Sequence, residues 1–135
     1  MKLHDGVNIA FQRWGSGNVK RVFCMHGWLD NSNSFSKLGP FLAEKGYEVT
    51  ACDLLGHGLS SHALGTQTFT DYIQNTREVL QELGLLHAHL IGHSMGTAVC
   101  LMYAGSYPES VASIVCLDGF GPTTRSPADA AKTLR

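Results

Sequence analysis

Short apolar runs alternate along the chain with segments of helical periodicity. Continuous apolar runs, typical of strands covered on both faces, occur at residues 21–25, 48–52, 89–91 and 113–117. Apolar residues spaced three and four apart predict helices that end before Gly46, Gly84 and Pro108. The first includes Phe35, and the second has Phe69 and Tyr72 on its apolar face and a capping box of Thr68 and Asp71 at its start. A half-buried strand is predicted over residues 7–14, where apolar and polar positions alternate. Strands that alternate with helices predict an α/β fold with a doubly wound, mostly parallel sheet.

Composition restricts the class of protein. The chain has 135 residues, of which 44% are hydrophobic and 16% charged, as in one soluble globular domain. A net charge of −1 with scattered lysines and arginines excludes nucleic acid as the expected partner. No apolar run approaches the ~20 residues of a membrane span. The first residues lack the apolar stretch of a secretory signal, so a cytoplasmic or organelle-matrix location is expected.

The four cysteines suggest neither disulfides nor a metal site. They are far apart, lie within apolar runs and form no Cys-x-x-Cys pair; they are Cys24, Cys52, Cys100 and Cys116. All four are therefore expected to be small buried hydrophobic residues in a reducing compartment. No metal or organic cofactor is implied.

The segment Gly92–Gly96 carries the clearest chemistry. It reads Gly-His-Ser-Met-Gly and stands between an apolar run and a predicted helix. A nucleophile elbow requires this context, a strand and a helix joined by a tight turn that bears the serine. The strained serine needs small neighbours on both sides, and Gly92 and Gly96 meet that need. Ser94 is the candidate nucleophile; the alternative is a serine on a purely structural turn.

Two further motifs accompany the elbow. His26–Asp30 follows the first central strand, and Asp53–Ser60 follows the next one, reading Asp-Leu-Leu-Gly-His-Gly-Leu-Ser. Together with the elbow, these motifs occur in the order found in the α/β-hydrolase superfamily. The sequence resembles that superfamily over nearly the whole chain. The residues of these motifs are most similar to those of serine-hydrolase-like proteins and small esterases. Asp30 and Asp53 are expected to stabilise the loops in which they lie.

The resemblance implies roles for the residues around Ser94. The backbone N–H groups of Trp28 and Met95 would form the oxyanion hole. His26 would hold the loop through hydrogen bonds, and Gly27 would be a structural residue near the site. Asp118 ends the strand after the elbow helix, where some branches place the catalytic acid, most placing it one strand later. A merely structural polar residue is the alternative for Asp118.

None of the seven histidines is expected to be the catalytic base. His26 belongs to the oxyanion loop, and His93 directly precedes the nucleophile, so that its side chain points away from Ser94. His57 lies in a turn that the resemblance marks as structural. In the family the base follows the last strand, which this sequence does not contain.

The sequence is therefore expected to be the front part of a longer polypeptide. Residues 1–118 would form the N-terminal part of an α/β-hydrolase core, with its C-terminal strands and cap missing. Residues 119–135 would begin a cap or connecting helix, because Ser126-Pro127 is a strong helix start. The apolar run at 113–117 would otherwise be left as an uncovered edge.

The leading hypothesis is a serine hydrolase that cleaves ester or related acyl bonds through an acyl-enzyme on Ser94. Its partner would be a small ester-like molecule, and the short chain alone would be inactive or very weak. A C–C bond hydrolase of the same fold is the alternative enzyme. The alternative from another class is a non-catalytic truncated product or a binding module of hydrolase fold.

Overall fold

The computed structural model describes residues 1–4, 6–62 and 65–119. The strands are β1 Phe11–Trp14, β2 Lys20–Met25, β3 Tyr47–Cys52, β4 Ala88–His93 and β5 Val111–Leu117. The helices are α1 Leu38–Glu44, α2 Phe69–Glu82 and α3 Met95–Ser106, with 3₁₀ turns at Ser32–Phe35 and Pro108–Ser110. Within the described ranges, no helix is long and apolar enough to cross a bilayer.

The strands form one sheet in the order β1-β3-β2-β4-β5. β2 pairs in parallel with both β3 and β4, β4 pairs in parallel with β5, and β1 runs antiparallel to β3. The chain leaves β2 toward β3 on one side and returns to β4 on the other. The strand order therefore reverses between β2 and β4, and the predicted mostly parallel α/β sheet is confirmed.

Both faces of the sheet are covered by apolar side chains. Along β2, Phe23 and Met25 belong to a cluster that includes residues of α2 and α3. Val22 and Cys24 alternate with them and pack in a second cluster, against which Leu38 and Leu42 of α1 lie. This alternation explains why β2 is apolar throughout, since each face of a central strand meets a different layer.

The ends of α2 follow the predicted signals. Thr68 and Asp71 form a capping box, in which each side chain accepts a hydrogen bond from the other residue's backbone N–H. Gly84 lies two residues after the helix with a φ of 63°, a conformation that favours glycine. Both predictions about this helix are confirmed.

Two predicted boundaries are wrong at the N-terminal side. The strand expected over residues 7–14 begins only at Phe11, and the preceding segment makes one isolated bridge, between Lys2 and Asn8. The helix expected to include Phe35 is divided into a 3₁₀ turn and α1. Pro40 explains the division, because proline lacks an N–H and its ring clashes with the carbonyl four residues earlier.

β5 was predicted to be buried and is instead largely exposed. Val115 is 46% exposed and Leu117 37%, because β5 lies at the edge of the sheet and pairs only with β4. Cys116 is exposed as well, which corrects its predicted burial. The other three cysteines are buried and free, and burial raises the pKa of the Cys24 thiol to about 12. The predicted helix start at Ser126-Pro127 lies outside the described residues.

The first turn of α3 touches the end of β2. A Cβ atom added to Gly96 would lie 2.1 Å from the carbonyl oxygen of Met25 and 2.7 Å from that of His26. Real Cβ atoms do not approach backbone so closely. The lack of a side chain at Gly96 therefore sets how closely α3 packs on the sheet.

We expect Gly96→Ala to lower the free energy of unfolding by about 3 kcal/mol, since the methyl group forces α3 away from β2. Gly105→Ala is the matched control in the same helix, where an added Cβ meets nothing within 4 Å. That variant should be stabilised by about 0.5 kcal/mol, because alanine favours a helix more than glycine does. Urea unfolding followed by circular dichroism measures both. Equal stability of the two variants would contradict the packing described here.

Candidate active site

Ser94 is the single residue between the end of β4 and the start of α3, and its backbone angles are φ 49° and ψ −113°. This backbone conformation is rare for any residue other than glycine. A Cβ atom on Gly92 would lie 2.5 Å from the amide nitrogen of Thr97, inside the first turn of α3. Gly96 in turn contacts the end of β2. Because a side chain at either position would collide with backbone atoms, the structure requires both glycines of the motif. The structure thus has the strand, strained turn and helix of an elbow.

The hydroxyl group of Ser94 is not used to cap the helix. A serine that serves as an ordinary N-cap has extended backbone, and its side chain accepts an N–H bond from the first turn. Ser94 has positive φ and makes no such side-chain bond. The backbone N–H of Ser94 instead donates to the Leu117 carbonyl at 3.0 Å, and Ser94 is exposed. This geometry favours a chemical over a structural use of the hydroxyl.

His26 is fully buried and holds two loops together. Its Nε2 accepts a hydrogen bond from the Leu54 N–H at 2.9 Å, and its Nδ1 donates to the Gly27 carbonyl at 2.7 Å. This arrangement requires the neutral ring, and burial lowers its pKa below the ordinary value. Because both ring nitrogens are occupied, neither is available to take a proton from Ser94.

The loop after β2 lies against the elbow. A Cβ atom on Gly27 would lie 3.2 Å from the Cβ of Ser94 and 3.1 Å from Nδ1 of His93. Within the described part of the chain, the backbone N–H groups of Trp28 and Met95 donate to no acceptor. Both groups are therefore available at the edge of the sheet that carries Ser94. Met95 opens α3, where the helix dipole favours negative charge.

Asp53 joins three segments at the same edge. Its carboxylate accepts the Ser32 N–H at 2.7 Å and the Leu59 N–H at 2.8 Å. Its own carbonyl accepts the Ser60 hydroxyl at 2.5 Å. Burial alone would raise the pKa of this carboxyl, but these N–H bonds outweigh it, so the pKa lies below its usual value.

Asp30 stabilises the neighbouring turn in a similar way. Its carboxylate accepts the Ser34 hydroxyl at 2.5 Å and the Asn31 N–H at 2.8 Å. Partial burial raises the pKa of Asp30, and these hydrogen bonds lower it further than burial raises it. The two aspartates thus have geometry that matches the loop-stabilising use expected of them.

Asp118 follows β5 with a φ of 52° and is exposed. Both chain neighbours of Asp118 lie beside Ser94. The Leu117 carbonyl accepts the Ser94 N–H, and a Cβ atom on Gly119 would lie 3.1 Å from the Ser94 carbonyl oxygen. Its carboxylate makes no hydrogen bond or ion pair with another described residue. No histidine of the described ranges is paired with it.

No described histidine bonds to the Ser94 hydroxyl. The His93 ring faces a separate cavity of about 340 Å³, lined in part by Phe35, Leu38 and Leu117, and its Nδ1 has no hydrogen-bond partner. His57 is buried, with Nδ1 3.0 Å from the Leu55 carbonyl. Among residues 1–4, 6–62 and 65–119, no three His, Cys, Asp or Glu side chains are grouped to hold a metal ion.

A cavity of about 630 Å³ opens beside the elbow. Its described lining comprises Trp28, Gly56, His62, Gly65, Thr66, Gln67, Thr68, Phe69, Tyr72 and Met95. Sequence reasoning treated Phe69 and Tyr72 only as the apolar face of a helix and did not assign them to a site. The available signal was their place in the first turn of α2, which begins at the carboxyl edge of a parallel sheet, where ligands bind.

Comparison with known proteins agrees with this geometry. A family model described as the α/β hydrolase fold matches residues 20–134. A serine hydrolase-like protein of Dictyostelium discoideum is 40% identical over 122 residues, which cover 88% of this chain and 34% of that relative. The chain therefore belongs to the α/β-hydrolase fold family, and it spans about a third of the length of this relative.

Solved structures support the same assignment. A hypothetical protein from Pseudomonas aeruginosa PAO1 is similar with a TM-score of 0.82 and 38% identity, over 95% of this chain and 45% of that one. An esterase from Exiguobacterium antarcticum is similar with a TM-score of 0.79 and 30% identity, over 86% of this chain and 43% of that one. The expected superfamily is confirmed.

Ser94→Gly should be more stable than Ser94→Ala by about 1 kcal/mol, because only glycine adopts the elbow conformation without strain. Thermal and urea unfolding of the two variants measures this difference. Both lack the hydroxyl, so the comparison isolates the backbone. Higher stability of the alanine variant would contradict the strained turn.

Asp53→Asn should lower the free energy of unfolding at pH 7 by about 2 kcal/mol, since a buried charged acceptor is lost. The folded pKa of Asp53 lies below the unfolded value of about 3.9. Its stabilisation is therefore fully present above about pH 4 and is lost as the pH falls through the folded value. Urea unfolding at pH 7 and at decreasing acid pH should show the variant and the unmodified chain converging. A constant difference at all pH values would contradict the ionised state.

Proposed function

We propose that the chain carries the nucleophile of a serine hydrolase that cleaves ester bonds through an acyl-enzyme. The observation that carries this proposal is the Ser94 hydroxyl, which is exposed on a strained turn and is not used as a helix cap. A fold maintains such strain where function requires it. The similarity to an esterase and to a serine hydrolase-like protein supports the ester class.

In the proposed reaction, the Ser94 oxygen attacks the ester carbonyl carbon and its proton passes to a general base. The negative charge on the carbonyl oxygen is stabilised by the N–H groups of Trp28 and Met95, which have no other acceptor among the described residues. The bond to the alcohol then breaks, and the alcohol takes the proton. Water attacks the acyl-enzyme, which releases the acid and restores Ser94.

We propose that the general base is a histidine that lies outside the described residues. No described histidine bonds to the Ser94 hydroxyl: both ring nitrogens of His26 are occupied, and the His93 ring faces another cavity. Relatives about three times as long have room for it. Asp118 is retained as a candidate acid, because it follows the strand next to β4. Residues 1–118 would then be the front part of a hydrolase core.

A binding function without turnover is the second candidate. It is favoured by one observation, that no described histidine contacts the Ser94 hydroxyl. Without a base, the hydroxyl is a weak nucleophile, although an oxyanion hole alone supplies residual catalysis. Reaction rate with an activated reagent distinguishes the two candidates.

With the chain extended to full length, so that the proposed base is present, an alkyl fluorophosphonate should label Ser94, and Ser94→Ala should abolish the label. Ser106→Ala is the matched control, since Ser106 is also exposed and its hydroxyl merely bonds to the Met102 carbonyl. Intact-mass spectrometry and peptide mapping identify the modified residue. Persistent labelling of the Ser94→Ala variant would exclude Ser94 as the nucleophile. Failure of the extended chain with Ser94 intact to label would favour the binding function.

A further inference from the structure

The cavity beside the elbow has a chemistry that selects a substrate. We propose that it binds an uncharged, apolar acyl chain, with Phe69 as the residue that governs how tightly the chain is held. This inference rests on the proposed ester hydrolysis at Ser94, since it assigns the acyl side of that substrate to the cavity. Its volume of about 630 Å³ is in the range of small-molecule sites.

Three aromatic residues, Trp28, Phe69 and Tyr72, line the cavity. The rings of Phe69 and Tyr72 have centroids 6.2 Å apart, and His57 links Tyr72 to Trp28 with centroid separations of 6.4 and 5.6 Å. Met95, the residue after Ser94, also lines the cavity. An acyl chain whose carbonyl carbon lies at the Ser94 oxygen can therefore extend along these rings.

Tyr72 presents its ring to the cavity because its hydroxyl is already paired. The Tyr72 hydroxyl donates to Oε1 of Gln67 at 3.0 Å. Gln67 itself packs against Gly56, where an added Cβ would lie 2.5 Å from the same Oε1 atom. The hydroxyl of Tyr72 is thus satisfied by the protein, and Tyr72 contributes its ring to the wall of the cavity.

The described lining contains no Asp, Glu, Lys or Arg. Its polar groups are neutral amides and hydroxyls, together with the exposed His62. A carboxylate at the far end of an acyl chain would lose hydration in this cavity without gaining a cationic partner. The cavity therefore selects against acyl groups that end in a carboxylate.

Two esters of matched length test the charge selection. Methyl octanoate and monomethyl suberate have the same number of backbone carbons, and only the second ends in a carboxylate. Titration of each into the Ser94→Ala variant at pH 8, followed by tryptophan fluorescence, measures binding without turnover. Methyl octanoate should quench Trp28 saturably, and Trp28→Phe should remove that signal, leaving the distant Trp14. Monomethyl suberate should bind at least about tenfold more weakly.

Substitution at Phe69 tests the wall. Phe69→Ala should weaken methyl octanoate binding about fivefold, and Phe69→Leu should weaken it less, since part of the apolar contact is kept. Phe41→Ala is the matched control, because Phe41 is also an exposed phenylalanine but lies on α1, away from the cavity. Equal binding of the two esters, or equal affinity in the Phe69→Ala and Phe41→Ala variants, would overturn the proposal. Because these titrations use the variant without a hydroxyl, they stand or fall independently of labelling at Ser94.

Discussion

The contact between the first turn of α3 and the end of β2 is the constraint on which the candidate site depends. Gly96 lies so close to the Met25 and His26 carbonyl groups that no side chain fits. Gly92 is equally close to the Thr97 amide nitrogen inside the helix turn. Three residues join these two fixed points, and Ser94, the middle one, has positive φ. The strain at Ser94 is therefore a consequence of helix packing on the sheet.

Buried polar groups hold the loops around the elbow in place. His26 links the loop after β2 to the Leu54 backbone after β3, and Asp53 links Ser32 to Leu59. In each bond a side chain takes the place of water as the acceptor for a backbone N–H. Burying these loops therefore leaves no N–H group of these bonds unpaired. Gly27 then lies beside Ser94, and the Trp28 N–H lies at the same edge. The position of the proposed oxyanion hole depends on residues that do not belong to it.

The sheet topology explains why chemistry collects at this edge. The strand order reverses between β2 and β4, so the connections that leave these two strands cross to opposite sides of the sheet, and a crevice forms at the carboxyl ends of the strands. The loop with Trp28 follows β2, and the elbow follows β4. The first turn of α2 closes the crevice from the side and supplies the aromatic wall of the cavity. Site and cavity are thus produced by the same reversal.

The sequence by itself determined the alternation of strands and helices, the capping box of α2 and the glycines of the elbow. These features depend on local periodicity and on short-range sterics, which neighbouring residues determine. Only the tertiary structure decided the order of the strands in the sheet, because an apolar run has the same pattern whichever strands it pairs with. It likewise decided that Phe69 and Tyr72 line a cavity beside Met95, since that contact joins elements distant in sequence. Pairing partners and cavities are set by the packing of whole elements, which no local pattern encodes.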